Sequence, residues 1–303
     1  MRTRTALLLG TALLLSLPAS PAFAADPCTT IGGNHVDVTF TSGTGLFNLY
    51  LDAGGTYKLD YFDVGGVFVT DTCDNLLATA VTSVTVTGDT DPNFFAMMLS
   101  GGGGAFPLST PFTISLGSGF DIFAVLGTTG PDSFIVGPYA PFGGAFSLDR
   151  NGDGVAEDQI SASEDVTLYG TDGNDRLSGG AGGNFQASPF SVEMYGGSGR
   201  DILIGGTARD YMFGDGGRDW MYGGKGKDRM VGGFGADRMW GQAGRDRLVG
   251  DAGGDRLYGS PGGDRLVGGT GNDHLRGGPG SDYCNGGTGT NTTAGCESFG
   301  FSY

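Results

Sequence analysis

Gly196-Gly197-Ser198-Gly199-Arg200-Asp201-Ile202-Leu203-Ile204 opens a run of eleven nine-residue units that reaches Ala294 without a gap. Position 1 is Gly in every unit. Position 6 is Asp201, Asp210, Asp219, Asp228, Asp237, Asp246, Asp255, Asp264, Asp273 and Asp282, until Asn291 ends the series. Position 8 is Leu or Met from Leu203 to Leu275, then Cys284 and Thr293. A fixed period of this length marks a solenoid, in which each unit packs only on its neighbours. One more unit, Gly170 to Ser178 with Asp175, lies upstream. A degenerate one, Gly179 to Ala187 with Asn184, follows it, and residues 188–195 then break the register.

Within each unit the first six residues read as a turn and the last three as a short strand. Alternation along the strand turns position 8 inward and positions 7 and 9 outward. Two units then make one eighteen-residue coil, and odd and even units build two facing parallel sheets. The expected fold class is all-β, with a C-terminal parallel β-roll over residues 170–294. One apolar side chain per nine residues is a thin core, so the roll needs a further source of order against the entropy of the chain.

The turns supply one. Glycine permits positive φ and close stacking of turns, so that carbonyl oxygens can face inward. The Asp adds a carboxylate at the same place in every turn. Calcium takes roughly 6–8 oxygen ligands in a flexible shell, which two stacked turns can share. Magnesium demands a tight octahedron and fits less well. The ion should therefore contribute folding energy, and the metal-free repeats should be largely disordered.

This pattern resembles the RTX family of hemolysin-type calcium-binding repeats, over residues 170–294. The resemblance implies that Asp175, Asp201, Asp210, Asp219, Asp228, Asp237, Asp246, Asp255, Asp264, Asp273 and Asp282 ligate several calcium ions (Ca2+) together with turn carbonyls. The chain departs from the pattern in places. Asn184 and Asn291 replace the Asp, so those ends should bind weakly or not at all. Ala208 replaces the Gly of position 4, and Asp215, Gln242, Asp251 and Ser260 stand where the second Gly is expected.

A second acidic motif precedes the repeats: Asp149-Arg150-Asn151-Gly152-Asp153-Gly154-Val155-Ala156-Glu157-Asp158. It begins like an EF-hand loop, although position 12 is Ile160. Asp149, Asn151, Asp153 and Asp158 are candidate ligands in a segment spanning 149–160. The alternative is a solvated acidic linker.

Residues that lie 18 apart stack on one sheet face. This places Ile204, Tyr222, Trp240, Tyr258 and Arg276 at position 9, beside Trp220, Arg238, Arg256 and His274 at position 7. Two readings of this aromatic stripe are open. It binds a cell-wall glycan or a surface protein, or its rings stack across strands to stabilise the sheet.

Residues 25–148 carry no amphipathic helical period. Val36 to Phe40, Thr56 to Tyr61 and Val81 to Thr87 alternate as short strands between Gly-rich turns, so this region is β-rich. Gly117 to Phe123 and Gly127 to Ile135 both read Gly, Gly, Asp, apolar. They are either decayed repeats that start the solenoid early or ordinary strand–turn units.

Arg2 and Arg4, the apolar run Ala6 to Leu17 and the Ala22-Phe23-Ala24 site form a secretory signal over residues 1–24, too short to span a bilayer. No later segment reads as a membrane span. Removing Arg2 and Arg4 leaves 15 basic against 33 acidic side chains, a net charge of −18, which disfavours nucleic acid. The 62 glycines are about a fifth of the chain, against roughly 7% in ordinary proteins. Cys28, Cys73, Cys284 and Cys296 allow three pairings. The local pairs Cys28–Cys73 and Cys284–Cys296 are expected in a secreted, extracellular protein. The second would pin residues 295–303 as a cap over the roll, whose last coil is otherwise bare. G-x-S-x-G, H-E-x-x-H and C-x-x-C are absent, and His35 and His274 are far apart in sequence. No catalytic residue is assigned and the chain is not expected to be an enzyme. A hydrolase carrying such repeats is the weaker alternative.

Overall fold

The computed structural model describes residues 28–31, 35–39, 45–51, 56–62, 68–71, 83–87, 93–98, 112–115, 122–127, 131–138, 146–149, 158–161, 165–180 and 188–297. The signal segment, Cys73, Asn151, Asp153, Asn184 and residues 298–303 lie outside them. Before the repeats the strands are β1 (Cys28–Ile31), β2 (His35–Thr39), β3 (Gly45–Leu51), β4 (Tyr57–Phe62), β5 (Phe68–Asp71), β6 (Ser83–Thr87), β7 (Asn93–Met98), β8 (Phe112–Ser115), β9 (Ile122–Leu126), β10 (Ser133–Pro138), β11 (Phe146–Asp149) and β12 (Asp158–Ser161). From the repeats onward they are β13 (Asp165–Gly173), β14 (Arg176–Ser178), β15 (Val192–Gly199), β16 (Ile202–Ile204), β17 (Tyr211–Gly217), β18 (Trp220–Gly226), β19 (Arg229–Gly235), β20 (Arg238–Gly244), β21 (Arg247–Ala252), β22 (Arg256–Tyr258), β23 (Arg265–Thr270), β24 (His274–Arg276), β25 (Tyr283–Thr288) and β26 (Thr292–Ala294). Among the described residues there is no helix.

The strands divide between two sheets and alternate strictly from β12 onward. One has fourteen strands in the order β1-β2-β6-β8-β12-β11-β10-β14-β16-β18-β20-β22-β24-β26. The other has twelve, β25-β23-β21-β19-β17-β15-β13-β9-β7-β3-β4-β5. Over residues 193–294 this is a parallel solenoid of about six turns. Each residue pairs with the one 18 positions on, as in Arg229↔Arg247 and Met230↔Leu248. Position 8 forms the core. Leu203, Met221, Met239, Leu257 and Leu275 line one sheet, and Met212, Met230, Leu248 and Leu266 the other, all fully buried.

The solenoid begins before the clean repeats. β2, β6 and β8 pair in parallel, as do β3, β7 and β9, and β8 and β9 pair on to β12 and β13. The suspected decayed unit at Gly127 is in register. Gly127 donates its N–H to the Tyr169 carbonyl and Arg176 donates to that of Asp132. Among the described residues, antiparallel pairing occurs in three places: β1 with β2, the β3-β4-β5 meander, and β10-β11-β12.

Glycine is required where coils touch backbone to backbone. Gly235, at position 4, has φ 135°, and a Cβ there would lie 1.4 Å from the Gly217 carbonyl oxygen of the preceding coil. Position 2 is less demanding. Thr171, Asp215, Gln242, Asp251 and Ser260 occupy it at φ 66–81°, in the left-handed well that is open, at a cost, to L-residues.

Candidate metal centre

The position-6 aspartates form two columns, one along each edge of the roll. Asp175, Asp201, Asp219, Asp237, Asp255 and Asp273 make the first. Asp210, Asp228, Asp246, Asp264 and Asp282 make the second. All five of the latter and Asp175 to Asp273 are buried; Asp201, Asp210, Asp219 and Asp237 are wholly so. Each Oδ1 accepts one backbone N–H from the coil before. Asp201 donates to Asp219 at 2.9 Å, Asp219 to Asp237 at 2.9 Å, and Asp210 to Asp228 at 2.9 Å. The first column extends upstream to Asp132, whose N–H bonds Asp175 Oδ1 at 2.7 Å, and downstream to Asn291, whose Oδ1 accepts from Asp273. The second column starts differently. Val192 occupies position 6 in the coil before Asp210 and donates to it at 2.9 Å without offering a carboxylate of its own.

The second oxygen is the informative one. Oδ2 of Asp175, Asp201, Asp219, Asp228, Asp237, Asp246, Asp255, Asp264, Asp273 and Asp282 is buried with no hydrogen-bond partner. Such a group costs free energy unless something compensates it. Each lies beside its own position-1 Gly. A Cβ on Gly232 would meet Asp237 Oδ2 at 2.5 Å and the Gly250 carbonyl oxygen at 2.9 Å, and one on Gly196 would meet Asp201 Oδ2 at 2.5 Å and the Gly214 oxygen at 2.9 Å. The absent side chain thus leaves a small space on which a carboxylate oxygen and a carbonyl oxygen of the next coil converge.

Burial raises these carboxyls, most of all where neighbours in the column add repulsion. Asp219 is pushed up to about 8, by burial first and then by Asp237 and Asp201 against the lowering hydrogen bond from Asp201. Asp228 also reaches about 8, through burial and then Asp210 and Asp246. Asp175, Asp246 and Asp255 reach about 7, and Asp201, Asp210 and Asp264 about 6, with burial the largest cause each time. A column of buried like charges with one free oxygen each is chemistry that a cation offsets.

Hard oxygen donors, partly carboxylate and partly carbonyl, fit calcium. Among the described residues no three His, Cys, Asp or Glu side chains converge, so a shell around any ion must draw on backbone oxygens. Asp210 departs from the rest. Its Oδ2 accepts the Gly206 N–H at 2.6 Å. Its unit is the one where Ala208 replaces the position-4 Gly, and Ala208 is not at positive φ. Of the EF-hand-like residues, Asp149 ends β11 and Asp158 opens β12, close together across an antiparallel pair in which Leu148 faces Asp158. Asn151 and Asp153 lie outside the described residues.

The position-9 rings of the outward stripe form a stack. Tyr222 and Trp240 lie 4.8 Å apart at 5°, and Trp240 and Tyr258 5.4 Å apart at 10°. The rings cover one another's faces along the axis, so cross-strand stacking is the role the geometry supports. A second stack that sequence reading missed, Tyr169–Tyr195–Phe213 with centroids 4.8 Å apart, lies on the other sheet. His274 is exposed, bonded to Thr292 Oγ1 at 2.6 Å. Cys284 continues the core column after Leu266 and is bonded to Cys296. The Cys28–Cys73 pairing lies outside the described residues because Cys73 does.

Fold and site together define a parallel β-roll with a column of buried carboxylates along each edge. The family model for the RTX calcium-binding nonapeptide repeat matches the chain in four copies, over residues 163–185, 195–230, 222–257 and 258–292. These residues are RTX repeats, and RTX repeats bind calcium. No curated protein matches the chain.

Proposed function

We propose that this chain is an exported protein whose repeats fold into the β-roll when they bind several extracellular calcium ions. The observation that carries the reading is the set of ten buried, unpartnered Oδ2 atoms, each beside a glycine and a carbonyl oxygen of the next coil. In this reading Asp175, Asp201, Asp219, Asp228, Asp237, Asp246, Asp255, Asp264, Asp273 and Asp282 hold the ions with turn carbonyls. The metal-free columns repel themselves, and the thin core does not hold the coils together without the ion. The signal-like residues 1–24, the even cysteine count and the prevalence of RTX repeats in secreted proteins support export. Asp149, Asn151, Asp153 and Asp158 are a second, separate candidate for the same ion.

Far-UV circular dichroism of the mature protein during a calcium titration tests the reading, with magnesium as control. A cooperative coil-to-β transition at about 10⁻⁴–10⁻³ M calcium, and none with magnesium, is expected. A roll already folded in chelator and indifferent to calcium would overturn it.

A further inference from the structure

The acidic and basic side chains of this protein are divided between its two parts. Residues 25–169 contain Lys58 and Arg150 against 17 Asp and Glu. Residues 170–297 contain 13 Lys and Arg against 16 Asp and Glu. Eleven of those 16 are the buried position-6 aspartates. That leaves five acidic groups outside the columns (Asp172, Glu193, Asp215, Asp251 and Glu297) against 13 cations, none of which is buried. Once calcium occupies the columns, the surface of the roll is cationic although the whole chain is strongly acidic.

Four of the 13 cations line one hollow, while Arg229, Arg247 and Arg265 follow one another along the other sheet. Arg200 and Arg218 at position 5, and Arg238 and Arg256 at position 7, line a shallow hollow around Trp220, with Ala236 leaving room at its side. Trp220 is 40% exposed, and the Arg238 guanidinium lies 5.5 Å from its ring centroid, which holds that group in place. Arg238 and Arg256 face each other on neighbouring strands, an arrangement of like charges that costs stability. None of the four forms an ion pair with a described residue.

We infer that this hollow is a site for an acidic polysaccharide, with sugar carboxylates or sulfates on Arg200, Arg218, Arg238 and Arg256 and the sugar's apolar edge against Trp220. The inference rests on the calcium-folded roll proposed above. Guanidinium forks match carboxylate and sulfate oxygens, and an exposed indole supplies an apolar contact with a polar tip. The hollow runs along the roll, with basic side chains contributed by successive coils, which suits a polymer with recurring anions better than a single small ion. Nucleic acid is the poorer fit. Duplex DNA carries a charge about every 1.7 Å and would be repelled by the acidic remainder of the chain, whereas a sugar acid carries its charge once per one or two rings.

The mature protein, saturated with calcium, is titrated with hyaluronate, dextran sulfate and neutral dextran by calorimetry, while circular dichroism follows the fold. Binding to hyaluronate or dextran sulfate that weakens with salt, with none to dextran, is expected. The exposed-site variant R218Q/R238Q/R256Q should lose at least about tenfold in affinity while keeping its calcium-induced spectrum, and W220T should weaken binding as well. The two acidic polymers separate carboxylate from sulfate recognition. The inference is overturned by absence of binding to both, by unchanged binding in the triple variant, by tighter binding of a single-stranded oligonucleotide, or by concentration-dependent self-association that the triple variant abolishes. If calcium induces the β spectrum and no acidic polymer binds, only this inference fails. If calcium induces no folding, the calcium reading fails first.

Discussion

Gly206 donates its backbone N–H to Oδ2 of Asp210, four residues away, at 2.6 Å. That single bond sets Asp210 apart from the ten other position-6 aspartates between Asp175 and Asp282, whose Oδ2 atoms have no partner. The cause is local. Ala208 stands at position 4, where the other units from Gly196 onward have Gly. Ala208 is not at positive φ, and neither is Gly206, alone among the position-2 glycines from Gly197 onward; in this turn the Gly206 N–H reaches the carboxylate.

Asp210 should accordingly contribute least to metal binding. Asp210→Asn is expected to leave the amount of calcium bound at saturation unchanged, while Asp219→Asn lowers it by about one ion. Ala208→Gly should raise it. Equilibrium dialysis with elemental analysis reads all three.

Stability should depend on pH with opposite signs in chelator and in calcium. Asp219 and Asp228 rise from 3.8 to about 8 on folding, and Asp175, Asp246 and Asp255 to about 7. The folded state therefore holds more protons than the unfolded chain between about pH 4 and 8, and metal-free stability falls as pH rises through that window. In chelator, where the chain is largely coil at pH 8, acidification to pH 5 should increase its residual β signal. Calcium competes with the same protons, so the calcium midpoint for folding should shift to higher concentration over the same range. Circular dichroism spectra and titrations at pH 8, 7, 6 and 5 check both.

The last coils are joined to the following residues by a covalent link. Cys284 sits at the core position of the last coils and is bonded to Cys296, 12 residues on, and Glu297 returns its N–H to the Asp282 carbonyl. Replacing both cysteines by Ala should destabilise the calcium-loaded roll by about 2–4 kcal/mol. Denaturant unfolding at saturating calcium, with and without reductant, measures this. The variant should be insensitive to reductant.

Trp240 stacks on both Tyr222 and Tyr258. Trp240→Thr removes two ring contacts while keeping a β-branched residue, and should cost about 1–3 kcal/mol. Calcium stoichiometry should not change, which separates the sheet's outer face from the metal columns. Thermal unfolding together with dialysis decides it.

The roll was legible because its period never slips between Gly196 and Ala294. Asp at position 6 and Leu or Met at position 8 were found buried where the register assigned them. The second aromatic stack was missed for the opposite reason. Tyr169 and Tyr195 are paired at a separation of 26, not 18, because the residues between the two clean repeat blocks lengthen that coil. The departures Asp215, Gln242, Asp251 and Ser260 were visible as letters, and the structure explains them, since position 2 is a left-handed site that tolerates a side chain. The closure of Asp210 was not visible. Ala208 could be flagged as irregular, but which donor would capture the carboxylate depends on the path of the turn. Before Gly127 there is no constant spacing, so parallel pairing of β2, β6 and β8 emerges only from the register of the strands themselves.

The eighteen-residue identity of the coils also bears on how such a chain changes length. Excising residues 232–249 would join Val231 to Gly250 and leave every remaining core residue, position-6 Asp, and position-1 and position-4 glycine facing a neighbour of the same kind. Deleting only nine would exchange the two edges downstream and set Tyr258 against a different column. The roll can therefore be lengthened or shortened by duplication or loss of whole coils, in steps of two units, with each new coil meeting a surface already shaped to receive it.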